Sequence, residues 1–576
     1  MMKLYLTVLA FLYLITVSGT ENLQQEISGA IAEGKKQIVL KNKEYRIAEE
    51  LRLNNLDGVV IDGNGARVIR TTLSGGIAVN NCRKLTLKNF TLDYDPLPFT
   101  QGVITRIDGH KLYFRIDQGY PRLSPVYAVR QINFFESDGM HWKKMKGGDI
   151  YGPTFILNGN EGYCEFHRIP PELVPGDRIV LNYRGSYGIR MDKSEKITLE
   201  TLRIHSAPGV AILSRFCKGD DIFRRVIIER GPTPQGATAP RLISTSADGL
   251  NCAFLRKGPL VEWCDFSYMA DDSVNLHSVA LPVVRKISGN TFDTIRQFGR
   301  EAFPETLRPG DSIRILSAGQ YKVKGTARVV SFRVSPRKYG IEEANRFYGR
   351  NWNRKKFTAY ELVLDREPPL AEGDFFDLPE LAGSRYTIRN NYFHDHRARG
   401  LRLMASHGLI ENNRIERTKA SAIAIGCEYG YWREAGWVEN VVVRSNRLYS
   451  IGKEGMTRDD CYCPGAISVF AKLEDYSGHY RGNRDICIEN NVIQNVEGAG
   501  IFAFRVDGLC LHGNQVRNAF QNPLPGGKNF PFGTASPVWI VDSVLRRKQS
   551  AVKPFAGDTS LNGREPESIR SKVSVE

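Results

Sequence analysis

Three aspartates stand at a spacing that would bring acidic side chains together. Asp248 lies in the segment SADGLN at 246–251, and Asp271 and Asp272 lie in ADDSVNLHS at 270–278, so the separations are 23 and 24 residues. Crowded carboxylates repel each other, which raises at least one pKa and lets one group stay protonated while another is ionised. Hydrolysis of a glycosidic bond needs this pairing of a carboxylic acid with a carboxylate. A structural aspartate ladder or an Asp-rich calcium site would use the same residues.

The residues after the aspartate pair alternate in polarity. Val274 and Leu276 are apolar, whereas Asn275 and His277 are polar. Successive side chains of a strand point to opposite faces, so the apolar pair is expected in the core and the polar pair outside, beside the carboxylates. Asn251 in the preceding segment is expected on the same outward face.

A third segment, HRARGLRLMA at 396–405, aligns with the two aspartate segments. When Gly400 is set against Ser273 and Gly249, Arg399 falls near the aspartates. Arg402 then falls near the outward asparagines. Both arginines are therefore candidates for binding a substrate.

An insertion rich in aromatic residues, GCEYGYWREAGW, occupies 426–437. Aromatic faces could stack on sugar rings, and carboxylates could bind sugar hydroxyls. The alternative is that the aromatic side chains pack the loop onto the rest of the chain. The aromatic candidates are Tyr429, Tyr431, Trp432 and Trp437, and the acidic candidates are Glu428 and Glu434.

A repeated pattern indicates the elements that would position these residues. An apolar residue, three mostly polar residues and another apolar residue recur, as in IRNNYF at 388–393 and IENNVI at 488–493. The fixed polar position holds Asn391, Asn413, Asn446, Asn491 and Asn514, at steps of 22, 33, 45 and 23 residues. A period near 22 with short β-branched runs is typical of parallel β-helix coils, whereas leucine-rich repeats would need an LxxLxL spacing that is missing. Asparagine at one position could form a hydrogen-bonded ladder between coils.

Two stretches interrupt the period, at 98–185 and 280–384. Each contains a Pro-Gly-Asp turn followed by alternating apolar residues, in LVPGDRIVL at 173–181 and LRPGDSIRIL at 307–316. This pattern favours antiparallel strands. We therefore predict an all-β protein, a right-handed parallel β-helix with two inserted small β-barrel domains. The predicted segments are a signal peptide at 1–20, β-helix coils at 21–97, 186–279 and 385–545, barrels at 98–185 and 280–384, and a disordered tail at 546–576.

The N-terminus has the pattern of a secretory signal peptide. Lys3 precedes an apolar run at 4–17, which the small residues Ser18 and Gly19 follow. The run is short for a membrane-spanning helix. We therefore expect a secreted or periplasmic bacterial protein without membrane insertion.

The net charge and the placement of the cysteines bear on whether the protein binds nucleic acid or a metal. The formal net charge of +16 comes from scattered lysines and arginines, which favours a solvated basic surface over a nucleic-acid site. Six of the ten cysteines, at 82, 252, 264, 427, 487 and 510, lie in strand-like runs, where cysteine is a small buried hydrophobe. The CYC at 461–463 lacks a second pair at zinc spacing. Neither a metal nor another cofactor is expected.

Several segments together resemble glycoside hydrolase family 110, the bacterial α-1,3-galactosidases that act on the blood group B determinant. The similar segments are LDYDPLPFTQG at 92–102, SADGLN, ADDSVNLH, and RGLRLMASHGLIENNRIE running into YWREAGWVENVVVRSN. The resemblance spans about 90 to 450 and implies a β-helix with inserted barrels, an inverting mechanism and no metal. It implies catalytic roles for Asp248, Asp271 and Asp272, and a glycan with terminal galactose as the partner. The chain differs from the family in details such as Arg433.

Other functions stay open on the sequence alone. The aspartate spacing is also similar to that of family 28 polygalacturonases, in which case Arg399 and Arg402 would bind uronate carboxylates. A non-catalytic glycan-binding β-helix is the third alternative. Either Asp271 is the acid while Asp248 and Asp272 hold a water, or Asp248 is the acid and the other two are the base. Linkage, aglycone and oligomeric state, with a homodimer as one option, do not follow from the sequence.

Overall fold

The chain folds into a long parallel β-helix that carries two antiparallel insertions. The computed structural model describes residues 22–123, 129–145, 150–152, 154–297, 307–348, 357–430, 432–452, 464–521, 536–546 and 573–575. The predicted signal peptide at 1–20, and nearly all of the predicted tail at 546–576, lie outside the described residues. Within the described residues, no helix has the length and apolar character to cross a membrane.

Each coil of the β-helix contributes one short strand to each of three parallel faces, which confirms the predicted fold class. The first face contains Gln37–Val39, the first half of Val60–Arg70, the first half of Thr86–Tyr94, Thr198–Glu200, Ile222–Arg224, Leu260–Glu262, Thr387–Arg389, Gly408–Glu411, Glu439–Arg444, Asn483–Glu489, Val506–Asp507 and Cys510–His512. The second face contains Glu44–Ile47, the second halves of Val60–Arg70 and Thr86–Tyr94, Arg203–Ile204, Ile227–Ile228, Asp265–Ser267, Tyr392–His394, Arg414–Glu416, Arg447–Ile451, Val492–Val496 and Gln515–Arg517.

The third face carries the candidate site. Its strands are Leu51–Asn54, Ile77–Asn80, Ser186–Asp192, Gly209–Arg215, Leu250–Ala253, Val274–Lys286, Leu401–Leu403, Ile423–Ile425, Gly465–Val469, Ala499–Phe504 and Val538–Val541. Beyond it, Ser543–Leu545 pairs with Val573–Val575. The alternation of the strands places their apolar residues in one continuous core inside the coils, as for Leu250, Val274 and Leu401, all fully buried.

An asparagine ladder holds the C-terminal coils together, as the repeat predicts. The side-chain amide of Asn413 donates to Oδ1 of Asn446 at 2.9 Å, and the amide of Asn446 donates to Oδ1 of Asn491 at the same distance. Asn391 and Asn514 extend the ladder at its two ends. The same oxygens accept backbone N–H groups, so each bend has its buried polar groups paired.

The first insertion is a seven-stranded antiparallel sheet with a core of its own. In spatial order, its strands are Ile150–Tyr151, Gln131–Phe135, Arg178–Asn182, Phe99–Asp108, Lys111–Ile116, Glu161–Glu165 and Thr154–Asn158. The strand Ile150–Tyr151 therefore forms one edge of this sheet. The chain returns from it to the β-helix at Ser186–Asp192, through Arg184.

The second insertion closes on itself. The strand Val274–Lys286 leaves the third face and pairs with both Thr291–Gln297 and Phe375–Asp377. The remaining strands of this barrel are Ser312–Leu316, Val323–Val334 and Phe357–Leu364. Among the described residues, the helices are Leu23–Ala32, which adds Leu23 and Ile27 to the core of the coils, Ile341–Tyr348 on the barrel, and a 3₁₀ turn at Pro379–Leu381.

The cysteines follow the prediction in part. Cys82, Cys252, Cys264 and Cys427 are buried as small hydrophobes. Cys487 and Cys510 differ, because they are half-buried neighbours on the outer side of the first face, with sulfurs 2.8 Å apart. The prediction that both enter the core was wrong, since Cys487 alternates with the buried Ile486 and Ile488, and Cys510 is its in-register neighbour in the next coil.

Candidate functional site

The three aspartates meet on the third face, where two consecutive coils stack. One oxygen from each of Asp248, Asp271 and Asp272 lies within 4.8 Å of the others. The strand Leu250–Ala253 pairs in register with Val274–Lys286, so the bends before the two strands lie side by side. Gly249 permits this approach, because a Cβ there would lie 2.8 Å from the carbonyl oxygen of Ser273.

Asp271 is enclosed by arginines. Arg184 donates to its Oδ2, and Arg397 donates to Oδ1 at 3.3 Å. Burial favours the neutral form of Asp271, but the charges of Arg184 and Arg397 outweigh it, and its pKa lies below the usual aspartate value. This carboxylate is ionised at neutral pH. Arg397 comes from the aligned segment at 396–405, whereas Arg184 comes from the exit of the first insertion, which the repeat spacing does not align with the aspartates.

Asp272 is held by Arg399, as the alignment predicts. The backbone N–H of Arg399 donates to Oδ1 at 2.8 Å, and its guanidinium donates to both oxygens at 3.2 Å. Burial is the largest influence on the pKa of Asp272 and raises it, and the charge of Asp271 raises it further. The charge of Arg399 lowers this pKa, but the net shift is upward. The pKa of Asp272 is therefore shifted in the opposite direction from that of Asp271, although the two residues are adjacent in the chain.

Asp248 has the most strongly raised pKa of the three. Burial is the largest cause, and the charges of Asp271 and Asp272 add to it. Its partner in the site is the side-chain amide of Asn251, which donates to Oδ2. No arginine donates to it in the described residues. The cluster thus places an acid of raised pKa beside a carboxylate of lowered pKa, which is the difference that general acid–base catalysis uses.

Two polar side chains beside the acids offer acceptors. Asn251 and Asn275 are neighbours in register and are followed in the next coil by Arg402. The Oδ1 atoms of both asparagines are buried and accept no hydrogen bond from a described residue. A buried acceptor without a donor is costly, so a ligand hydroxyl would gain free energy by donating here.

A cluster of four titratable side chains borders these asparagines. Arg402 lies 2.8 Å from Glu434 and 3.5 Å from Glu428, and His277 lies 3.8 Å from Glu434. Burial lowers the pKa of His277, which makes the imidazole neutral at pH 7. Burial favours the neutral form of Glu434, but nearby positive charges, above all that of Arg402, together outweigh it, and the pKa of Glu434 is lowered. All four are predicted site residues, and the fold brings them together.

The aromatic insertion divides into a buried part and an exposed part. Tyr429 and Trp437 are buried, and Tyr429 stacks on Tyr321 of the barrel at 4.5 Å between ring centroids. The prediction that these two stack on sugars was wrong, because they pack the loop against the second insertion. Trp432 is 40% exposed, whereas Tyr431 lies outside the described residues. Arg433 supports the loop through the carbonyl oxygen of Tyr429 at 2.6 Å.

A cavity of about 300 Å³ opens beyond Asn251 and His277, on the side of the second insertion. The walls include residues of the third face, the barrel and the aromatic insertion. Those that concern the argument are Asn251, His277, Arg296, Tyr348, Trp432 and Glu434. This volume is at the lower end of the roughly 300–1,000 Å³ of small-molecule sites. The cavity has room for a small ligand next to the acids.

Sequence reasoning missed Arg184, Arg397 and Arg296. Arg397 lies in HRARG, two residues before Arg399, and both arginines contact the aspartates from one bend. Their alternate positions in the sequence could therefore have identified Arg397. Arg184 is 87 residues from Asp271, at the exit of the first insertion, where its backbone has a φ of 45°. Arg296 belongs to a barrel strand. No local pattern connects either of them with the aspartates.

The chemistry of the cluster disfavours a bound cation. In the described residues, the three aspartates are the one group of acidic, histidine or cysteine side chains that lie close enough to share an ion. Arg184, Arg397 and Arg399 already donate to two of the three carboxylates. A divalent cation would be repelled by these guanidinium groups, and the third acid is the one whose pKa is most strongly raised.

We therefore expect activity that does not depend on a divalent cation. The reaction rate should be the same after dialysis against EDTA and should not increase on addition of calcium, because arginines already donate to two of the three acids. The measurement is the initial rate before and after chelation. If chelation abolished activity and calcium restored it, the acid–base assignment would be wrong and the three aspartates would form a metal site.

The chain is similar to curated bacterial enzymes along most of its length. It is 23% identical over 510 residues to alpha-1,3-galactosidase B of Phocaeicola vulgatus, covering 83% of this chain and 82% of that protein. It is 24% identical over 523 residues to alpha-1,3-galactosidase B of Akkermansia muciniphila, covering 85% of this chain and 60% of that longer protein. No family model matches the chain.

Among solved structures, likeness is distant. The A-module of a mannuronan C-5 epimerase from Azotobacter vinelandii aligns with a TM-score of 0.34 and 10% identity, covering 91% of this chain and 94% of that one. A family 28 exopolygalacturonase from Yersinia enterocolitica aligns with a TM-score of 0.23 and 8% identity, covering 80% and 74%.

Proposed function

From its relationship to glycoside hydrolase family 110, we propose that this chain is an exo-acting α-galactosidase that removes terminal α-1,3-linked galactose from glycans. The observation that carries the proposal is the pair of unlike acids, in which Asp271 lies between two arginines that lower its pKa and Asp248 beside it has a raised pKa. The relatives named alpha-1,3-galactosidase cover four-fifths of the chain and support the sugar and the linkage.

The unlike acids support the following division of roles in the proposed reaction. Asp248 gives its proton to the glycosidic oxygen as the bond to the anomeric carbon breaks. Asp271 accepts a proton from a water that attacks that carbon, and Asp272, held by Arg399, helps to orient the water. The electron pair of the broken bond stays on the leaving oxygen. Of the two divisions that the sequence left open, the low pKa of Asp271 favours the one in which Asp248 is the acid.

We propose inversion at the anomeric carbon. The nearest oxygens of the acids lie within 4.8 Å, closer than the roughly 6.5–9.5 Å between carboxyl groups of typical inverting enzymes. However, both oxygens of Asp271 accept from guanidinium groups. A carboxylate so engaged is a weak nucleophile, and a water that it orients together with Asp272 is the better one. Attack by water rather than by Asp271 inverts the centre.

The cavity supports exo action. Its walls come from three parts of the chain, with Tyr348 of the barrel and Trp432 of the aromatic insertion on the side away from the coils. A cavity of about 300 Å³ has room for one terminal sugar rather than a continuing chain. Asn251, Asn275 and His277 would bind its hydroxyls.

The polygalacturonase-like alternative is less well supported. Uronate binding would need arginines directed at the substrate, yet Arg399 is bonded to Asp272, and Arg402 lies beside Glu434. For the location, we propose that the N-terminal segment at 1–20 is a signal peptide and that the enzyme acts outside the cytoplasm on host or environmental glycans.

The experiment is a panel of α- and β-linked nitrophenyl sugars, galacturonides and blood group oligosaccharides, with proton NMR of the first turnovers. We expect release of galactose from α-1,3-linked substrates, with β-galactose appearing first. Early α-galactose would refute inversion while leaving the galactosidase intact. Cleavage of galacturonides alone would refute the galactosidase.

A further inference from the structure

Two cysteines lie side by side on the outer surface of the first face, near its C-terminal end. Cys487 belongs to the strand Asn483–Glu489 and Cys510 to the strand Cys510–His512, and the two residues pair in register. Their sulfurs are 2.8 Å apart. Both side chains are half-buried, so a small molecule in solution can reach them.

The geometry suits a bond between the two sulfurs. Neighbouring strands are roughly 4.8 Å apart, and Cα atoms at this spacing fall within the roughly 4.4–6.8 Å that disulfides span. An S–S bond is about 2.05 Å long, so the sulfurs need to approach by less than about 1 Å. Because the register of the coils already holds Cys487 beside Cys510, the bond requires no rearrangement of the backbone.

The pair differs from the other cysteines of the described residues. Those at 82, 164, 217, 252, 264 and 427 are buried. Burial also raises the pKa of thiols such as Cys164 and Cys264, and the thiolate is the form that reacts with a disulfide. Within the described part of the chain, an oxidant would therefore react first with Cys487 and Cys510.

The pair lies where the β-helix has the least support. In the described residues, Cys510–His512 is the last strand of the first face, and Asn483–Glu489 is the one strand that pairs with it. A terminal strand that is bonded on one side opens more easily than a strand held on both sides. Cys487 and Cys510 are 23 residues apart, so a bond between them would close one complete coil.

We propose that Cys487 and Cys510 form a disulfide that fastens the last coil of the first face to the coil before it. The oxidant is a small disulfide such as glutathione disulfide. One protein thiolate attacks it and releases one glutathione, and the second thiolate attacks the mixed disulfide and releases another. The two electrons and the two thiol protons thus pass to glutathione. Disulfides form and persist outside the cytoplasm, which is the proposed location of the enzyme.

The test compares the purified protein after oxidation by glutathione disulfide with the protein kept reduced by dithiothreitol. After alkylation, a peptide map by mass spectrometry should show Cys487 joined to Cys510, with two hydrogen atoms fewer than the reduced pair. The cross-link restricts the unfolded chain, so the oxidised protein should melt about 2–8 °C higher. Alkylation of both thiols after oxidation, or a bond that leaves the melting temperature unchanged, would overturn the proposal.

Matched variants assign the change in melting temperature to this pair. Cys510→Ser alters a half-buried side chain, so it should fold and should melt at one temperature under both conditions. Cys164→Ala removes a buried thiol of the first insertion and should keep the full difference. The double variant Cys461→Ser and Cys463→Ser, at positions outside the described residues, should keep it too. A difference that survives in Cys510→Ser would contradict the proposal. The proposal goes beyond the galactosidase function, and its test needs no substrate, so either can fail without the other.

Discussion

Asp271→Asn is expected to lower kcat by about 10²–10⁴-fold on α-1,3-galactobiose and on α-galactosyl fluoride alike, the range typical of a lost general base. Both substrates need an activated water, so the leaving group should make little difference. The substitution removes the carboxylate that Arg184 and Arg397 hold ionised. Steady-state rates on the two substrates measure the loss.

Azide distinguishes a lost base from a damaged fold. Azide needs no base, so it should attack the anomeric carbon of the bound substrate in Asp271→Asn and give β-galactosyl azide. Because the substitution leaves two partly buried arginines without their anion, some stability is also expected to be lost. Asp93→Asn is the matched control, since Asp93 is a buried aspartate bonded by Arg241 at 2.8 and 2.9 Å outside the site. It should lose stability and keep kcat. Wild-type turnover in Asp271→Asn would contradict the assignment.

The sequence was sufficient for the fold and for the central acids because both depend on local periodicity. A coil returns each strand to the same face after about one period, so Asp248 and Asp271 had to become neighbours once the repeat was recognised. The ladder from Asn391 to Asn514 follows from the same rule. Asn275 and Arg402 were placed correctly, since in-register pairing conserves the position within a strand.

The parts of the site that came from the insertions were not predictable in this way. Arg184 is positioned by the first insertion, an antiparallel sheet whose orientation on the coils depends on packing, not on a period. Trp437 and Tyr429 look like sugar-binding residues in the sequence, yet a second insertion more than fifty residues upstream covers them. Composition gives the chemistry of a loop, whereas its accessible face is decided by what packs on it.

Asp248→Asn should produce a loss that depends on the leaving group. On α-1,3-galactobiose, whose departing oxygen needs a proton, we expect kcat to fall about 10²–10⁴-fold. On α-galactosyl fluoride, whose fluoride departs without protonation, the loss should be much smaller. Azide should not rescue the disaccharide, because the missing group is the acid. Equal losses on both substrates would contradict the assignment of Asp248 as the acid.

The pH dependence follows from the raised pKa of Asp248. Burial and the two neighbouring aspartates raise this pKa, so the proton needed for catalysis is bound at low pH and is lost as the pH rises through the raised value. The wild-type rate on the disaccharide should therefore fall on the alkaline side, and this fall should be absent from the residual activity of Asp248→Asn.

Stability provides the control for the acid variant. The folded state binds the proton of Asp248 more tightly than the unfolded chain, so the contribution of Asp248 to stability is full below the ordinary aspartate pKa and is lost as the pH rises through the raised one. A neutral asparagine avoids this loss, and at neutral pH Asp248→Asn should melt no lower than the wild type.

Asp221→Asn is the matched control, since Asp221 is also a buried aspartate of raised pKa, about 7, but belongs to a bend away from the acids. It should keep wild-type kcat on both substrates. A variant of Asp248 that keeps its melting temperature and loses only the disaccharide is the result that distinguishes a catalytic acid from a structural one.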